Sequence, residues 1–229
     1  MSRPEFGDDE RQLRPREEDS GRDPVAWLSA VFYYGLGQSL FLGLPALWMA
    51  FLAPVRRLQV VDATVVGMVF VPLVIAAGRL GLLGVVLGRF GHRWPTLGGT
   101  TLGVVGSYRV YLTRSTLLNA TFMWVAYGTV WLSSWVEPFP WFWVASSIAV
   151  ASTVAYPWLS TDSRRARLAR LAFQLGGVGV LLAVVDLPSV VESGFVRYPA
   201  VLGLALLLVV LDALPLVADL RGRSRPPNP

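Results

Sequence analysis

Three charged residues, Arg79, Asp186 and Asp212, stand inside long apolar runs of this chain. An ionised group at the depth of a lipid bilayer costs about 2.5 to 3.5 kcal/mol on insertion scales, so it needs a partner, a route to the headgroups or a task. Two chemistries suit them. Arg79 and Asp212 fall at matching depths of their runs and could form a buried bridge, or either could take part in a proton or ion relay. Asp186 and Asp212 each precede a proline, in VVDLP and VLDALP. Each proline frees a carbonyl one turn back, so acidic and carbonyl oxygens would come together. A second group is basic: His92, Arg93, Arg109 and Arg114 flank a glycine-rich stretch and could hold an anionic lipid headgroup at the inner surface. The same arginines also serve as ordinary topology determinants.

Elements must be found that carry these residues. Of 229 residues, 54% are hydrophobic and 15% charged, with the charges in short blocks between apolar runs. A water-soluble surface does not tolerate that division. Long continuous runs predict helices rather than barrel strands, whose apolar positions would alternate. The expectation is an all-α, polytopic transmembrane helical bundle of about six spans: Trp27–Leu52, Thr64–Leu87, Leu117–Val136, Trp141–Leu159, Leu168–Leu187 and Tyr198–Leu220. Each approaches the roughly 20 residues that cross about 30 Å of hydrocarbon. Residues 88–116 fit a loop, an interfacial helix or a re-entrant segment, with the interfacial reading favoured.

Domain organisation follows: a disordered tail over 1–26, a transmembrane helical domain over 27–220 and a second tail over 221–229. The first tail carries eight acidic and five arginine side chains, too little apolar area to fold. All 20 basic residues are arginine. With six crossings and a cytoplasmic amino terminus, sixteen arginines fall inside and Arg56, Arg57 and Arg197 outside. The positive-inside rule then predicts that both termini are cytoplasmic. Trp135, Phe139, Trp141, Phe142 and Trp143 cluster around one short turn as half of an aromatic belt.

Packing signals accompany the charges. Ala77, Gly81, Gly84 and Gly88 are spaced four, three and four apart, a smooth groove on one helix face against which another helix can pack. Trp124, Tyr127, Trp131 and Trp135 form an aromatic stripe suited to lipid contact and core packing. Ser146, Ser152 and Thr153 can bond to preceding carbonyls. Gln38 and Asn119 are polar groups that a bundle interior must satisfy.

Several classes are excluded or disfavoured. Cysteine is absent, His92 is the lone histidine, and no HExxH, GxxxxGK[ST] or GxGxxG motif occurs. No cofactor, metal site or catalytic residue is therefore indicated. The short, separated basic loops argue against nucleic-acid binding. The expected setting is the cell membrane, multi-pass, with membrane lipids as partners and other membrane subunits or a homo-oligomer as candidate associates. The leading reading is a small integral membrane protein, transport-related or a subunit of a membrane assembly. An alternative is a membrane-embedded enzyme acting on a lipid-like substrate at the inner leaflet; another is a scaffold recruiting a cytoplasmic partner.

Overall fold

The computed structural model describes residues 24–54, 56–79, 104–135, 140–159 and 163–185, with five isolated positions beyond. Seven helices occur among the described residues. α1 begins as Pro24–Ser29, widens to a π-helix over Ala30–Gly37 and returns to α geometry over Gln38–Leu42. α2 is Leu44–Phe51 and α3 is Arg57–Arg79. α4 runs Val104–Met123, passes through a π-helix at Trp124–Gly128 and continues over Thr129–Ser133. α5 is Trp141–Val154, α6 is Tyr156–Leu159 and α7 is Arg164–Val184.

α4 is the hub. It packs against α2, α3, α5 and α7, while α1 lies against α3 and α6 joins α5 to α7. Residues 116–123 and 125–130 of α4 are all buried, which is the behaviour of a helix enclosed on every side. Its neighbours come close because of small residues at particular points. A Cβ on Gly35 would lie 2.5 Å from the Pro72 carbonyl oxygen, so the π segment of α1 touches the backbone of α3. A Cβ on Gly43 would lie 2.8 Å from the Phe122 ring, so α4 presses on the bend between α1 and α2.

The all-α reading holds, but the expectation of about six spans does not. Two helices among the described residues are long and apolar enough to cross a membrane, Arg57–Gly78 and Arg164–Val184. Backbone breaks account for much of the difference. Trp27–Leu52 is divided at Gly43, leaving α2 with eight residues, about 12 Å of helix. Trp141–Leu159 is divided at Ala155, leaving α5 with 14 residues, about 21 Å. Leu117–Val136 is the later part of a helix that begins at Val104, with Arg109, Arg114 and Asn119 in its length and a π-helix at Trp124. Residues 104–116, part of the stretch expected as a loop, an interfacial helix or a re-entrant segment, thus belong to the hub helix. The Thr64 and Leu168 spans start earlier than expected, at Arg57 and Arg164. Tyr198–Leu220 lies outside the continuously described residues, as do both tails. Composition averaged over a window detects apolar content but not a bend at one glycine. The arginine count that put both termini in the cytoplasm presupposed six crossings and loses its basis with them.

Beyond their polar first turns, the two long helices expose many apolar side chains. Half of the Arg57–Gly78 window and a third of the Arg164–Val184 window are buried, and Leu58, Val65 and Val69 of α3 face outward. On α7, Leu168, Leu175 and Leu182 recur every seven residues as one exposed stripe. A soluble core helix would bury such faces. The bundle, with its two long apolar helices, has the character of a membrane-associated protein with more than one crossing.

Candidate functional site

Several polar side chains join helices inside the bundle, and the first cluster sits where α1, α2 and α4 meet. Gly43 ends α1, and Pro45 occupies the first turn of α2, where its missing N–H costs nothing. The next amide, Ala46 N–H, has no acceptor on its own helix. Asn119 of α4 supplies one: its Oδ1 accepts from Ala46 N–H at 2.9 Å, and its Nδ2 donates to Leu42 O at 2.9 Å and Ser115 O at 2.7 Å. Ser115 Oγ also donates to Leu42 O at 3.0 Å. Asn119, 2% exposed, therefore caps one helix and closes another from a third.

Similar joints run along the hub. Thr121 Oγ1 and Tyr156 OH lie 2.8 Å apart, linking α4 to α6. Tyr127 OH donates to Met49 O at 2.9 Å, linking α4 to α2. Trp124 Nε1 donates to Phe173 O at 2.9 Å, and the two rings stack at 6.3 Å, linking α4 to α7. Arg170 of α7 donates to Leu159 O of α6. The aromatic stripe expected on the third span is split: Tyr127 is buried, whereas Trp131 and Trp135 are exposed and meet edge to face. The π-helix at Trp124–Gly128 inserts extra residues per turn and rotates the positions beyond it.

A second feature lies at the start of α3. Here a recess of about 1060 Å³ opens between the first turn of α3, the end of α4 and the start of α5. Arg56, Arg57 and Gln59 line one wall, Thr129 and Ser133 another, and Trp141 a third. Arg56 adopts φ +50°, the left-handed region that is costly for any residue with a Cβ. Its carbonyl accepts from Val60 N–H at 3.1 Å, so this strained residue starts α3. The first turn of α3 has no acidic residue. Thr129 and Ser133 stand one turn apart on the same face of α4. Their hydroxyl oxygens are buried and have no hydrogen-bond partner. Thr64 and Thr153 instead turn back on their own helix, to Val60 O and Ala149 O, each at 2.6 Å, while the buried Ser39 hydroxyl on α1 is likewise without a partner. Around the recess, Trp141, Phe142 and Trp143 pack edge to face in succession.

The residues singled out by sequence fare differently. Arg79 is the last described residue of α3, 22 residues after Arg57 and so about 33 Å along the helix; its side chain, Asp186 and Asp212 lie outside the described residues. Ala77 is half-buried on α3, and Gly81, Gly84 and Gly88 lie outside. Arg114 is 8% exposed within α4. Arg109 is on the same helix with its side chain outside the described set, as are His92 and Arg93 entirely. Asn119, Ser146 and Thr153 make the bonds expected of them: Ser146 Oγ donates to Trp143 O at 3.2 Å. The Gln38 side chain lies outside. Sequence reasoning passed over the Arg56–Arg57 recess, because two adjacent arginines between apolar runs read as loop charges. The available signal was the Thr129, Ser133 pair at helical spacing.

No family model, curated protein or solved structure matches this chain.

Proposed function

We propose that this chain is a small multi-pass protein of the cell membrane that works as a subunit of a membrane assembly. The observation that carries the reading is the closed interior around α4. Phe122, Val125 and Tyr127 are fully buried, and Asn119, Thr121 and Tyr127 spend their polar atoms on joining helices to each other. A conduit needs polar groups facing a continuous aqueous path, and the described part of the bundle core is filled by side chains instead. Its exterior suits lateral contact. The exposed Leu168, Leu175 and Leu182 stripe of α7 offers an apolar face to membrane lipids, other membrane subunits or a second copy of the chain.

Transport remains the competing reading through Arg79, Asp186 and Asp212, and a lipid-handling enzyme through His92, Arg93, Arg109 and Arg114. Both rest on sequence. A bridge between Arg79 and Asp212 is part of the proposal as a structural element, offsetting the cost of either charge alone.

Three measurements on the full chain test the subunit reading. The protein should stay with membranes after alkaline carbonate washing. Mild detergent should release it in a particle larger than its 25.0 kDa mass plus one micelle, and proteoliposomes should show no proton or cation flux above empty vesicles. Release by carbonate refutes the membrane setting. A strictly monomeric particle or coupled flux refutes the subunit role, and flux abolished by Asp212→Asn would move the assignment to transport.

A further inference from the structure

The recess at the head of α3 has a chemistry that packing alone does not call for. Two arginines lie side by side on its rim. Among the described residues, neither guanidinium is held by a carboxylate and no acidic side chain lines the recess. The same turn supplies the amides of Arg57, Leu58 and Gln59, which have no acceptor on their own helix, and the positive end of the helix dipole. Helix start and arginine pair thus concentrate positive potential at one point.

The opposite wall gives an independent sign. Thr129 is 1% exposed, and its hydroxyl oxygen and that of Ser133 behind it are buried without a partner. A buried hydroxyl without a hydrogen bond costs free energy comparable to a lost bond, so such groups ordinarily turn back on their helix. Here the preceding π-helix changes the register: Thr129 N–H bonds to Trp124 O, five residues back. π segments inside α-helices occur frequently at functional sites.

We propose that this recess binds a phosphate group, and that the phosphate is the headgroup of an anionic membrane lipid. A phosphate monoester presents several acceptor oxygens and matches the planar donor fork of arginine. The rim guanidinium groups and the α3 amides take the charged oxygens. The Thr129 and Ser133 hydroxyls donate from the opposite wall, acquiring the partner they lack. Trp141 at the mouth, with Phe142 and Trp143 beside it, supplies the amphipathic aromatic surface that favours the headgroup level of a bilayer. Arg56 keeps its strained backbone in exchange for placing a second guanidinium at this rim. The choice of lipid over free phosphate rests on the membrane reading above; the phosphate chemistry does not.

The test uses the full chain in a neutral detergent. Dioctanoyl phosphatidic acid and dioctanoyl phosphatidylcholine are titrated with bound lipid counted by native mass spectrometry, and inorganic phosphate is titrated by calorimetry. Phosphatidic acid should bind at least about tenfold more tightly than phosphatidylcholine. The double variant Arg56→Gln, Arg57→Gln should weaken it by about tenfold or more. Arg164→Gln with Arg165→Gln is the control: this pair also opens a helix, but there Ser163 Oγ caps the Ala166 amide at 3.2 Å. It should change binding less than about twofold. Thr129→Val, nearly the same shape without the hydroxyl, should weaken binding about threefold or more while the melting temperature of the lipid-free protein stays the same or rises.

Equal loss in the two arginine pairs would reduce the effect to general charge attraction and overturn the site. So would lipid binding without headgroup preference, wild-type binding by Thr129→Val, or no binding of lipid or phosphate. Inorganic phosphate bound at the rim as tightly as the lipid would uphold the phosphate site and assign it to a soluble source. Should the double variant not fold, Arg57→Gln and Thr129→Val alone decide. Carbonate extraction reads the membrane setting separately, so failure of the site and failure of that setting give different results.

Discussion

Replacing Asn119 by alanine isolates the joint that holds α1, α2 and α4 together. The substitution removes one acceptor and one amide donor pair, and their consequences differ. Leu42 O keeps a partner, because Ser115 Oγ still reaches it at 3.0 Å. Ala46 N–H does not: Asn119 Oδ1 is the acceptor it has, and Ala46 is 1% exposed, so water does not replace it freely. A stranded buried donor costs roughly 1 to 3 kcal/mol, and the lost bonds to Leu42 O and Ser115 O together add about 1 kcal/mol more. The expected loss is therefore about 2 to 4 kcal/mol. Ser115→Ala removes a redundant contact at the same joint and should cost less than about 1 kcal/mol. Reversible unfolding in mixed detergent micelles gives both values. Hydrogen exchange at the Ala46 amide gives a local one: 2 kcal/mol corresponds to roughly thirtyfold faster opening. A loss below about 0.5 kcal/mol for Asn119→Ala, with unchanged exchange at Ala46, would refute the capping role and the account of why α2 starts where it does.

Other outcomes follow from the same packing. Gly35→Ala should destabilise by more than about 2 kcal/mol, since its Cβ meets the backbone of Pro72 at 2.5 Å, whereas Gly179→Ala meets nothing within 4 Å and should stabilise α7 by up to about 1 kcal/mol; calorimetry of the two variants in one detergent reads both signs. Arg56→Gly should raise stability by about 1 kcal/mol by relieving φ +50°, while lowering phosphate affinity, so thermal unfolding and lipid titration should move in opposite senses. Trp124→Phe removes the donor to Phe173 O but keeps ring stacking, and should cost about 0.5 to 1.5 kcal/mol in equilibrium unfolding. If Arg79 pairs with Asp212, neutralising either alone should cost roughly 1 to 4 kcal/mol with recovery in the paired apolar variant; additive losses in a double-mutant cycle would reject the bridge.

Much of the class of this protein was legible in the chain. The long continuous apolar runs, with charges confined to short blocks between them, point to helices in a membrane setting, because hydrophobic composition is a local property that needs no fold to interpret. Particular polar residues were also legible in kind. Asn119, Ser146 and Thr153 had to be satisfied if buried, and each is. Their partners were not: Ser146 and Thr153 bond within their own helix, a local rule, but Asn119 reaches Ala46, 73 residues away.

The number of spans was decided by tertiary structure. Trp27–Leu52 reads as one apolar run, yet Phe122 of α4 packs over Gly43 and the run divides there. The stripe from Trp124 to Trp135 reads as one helix face, yet a π-helix at Trp124–Gly128 sends Tyr127 inward and Trp131 outward. Extra residues in a turn leave hydropathy unchanged, so no window average detects them. The recess at Arg56 and Thr129 has the same origin. Its members are 73 residues apart in sequence, and only the packing of α3 against α4 brings an arginine pair and two unpartnered hydroxyls to one place. Sequence determined which groups are costly to bury, since desolvation belongs to the residue; the fold determined which of those costs are met within the chain and which are left for a ligand.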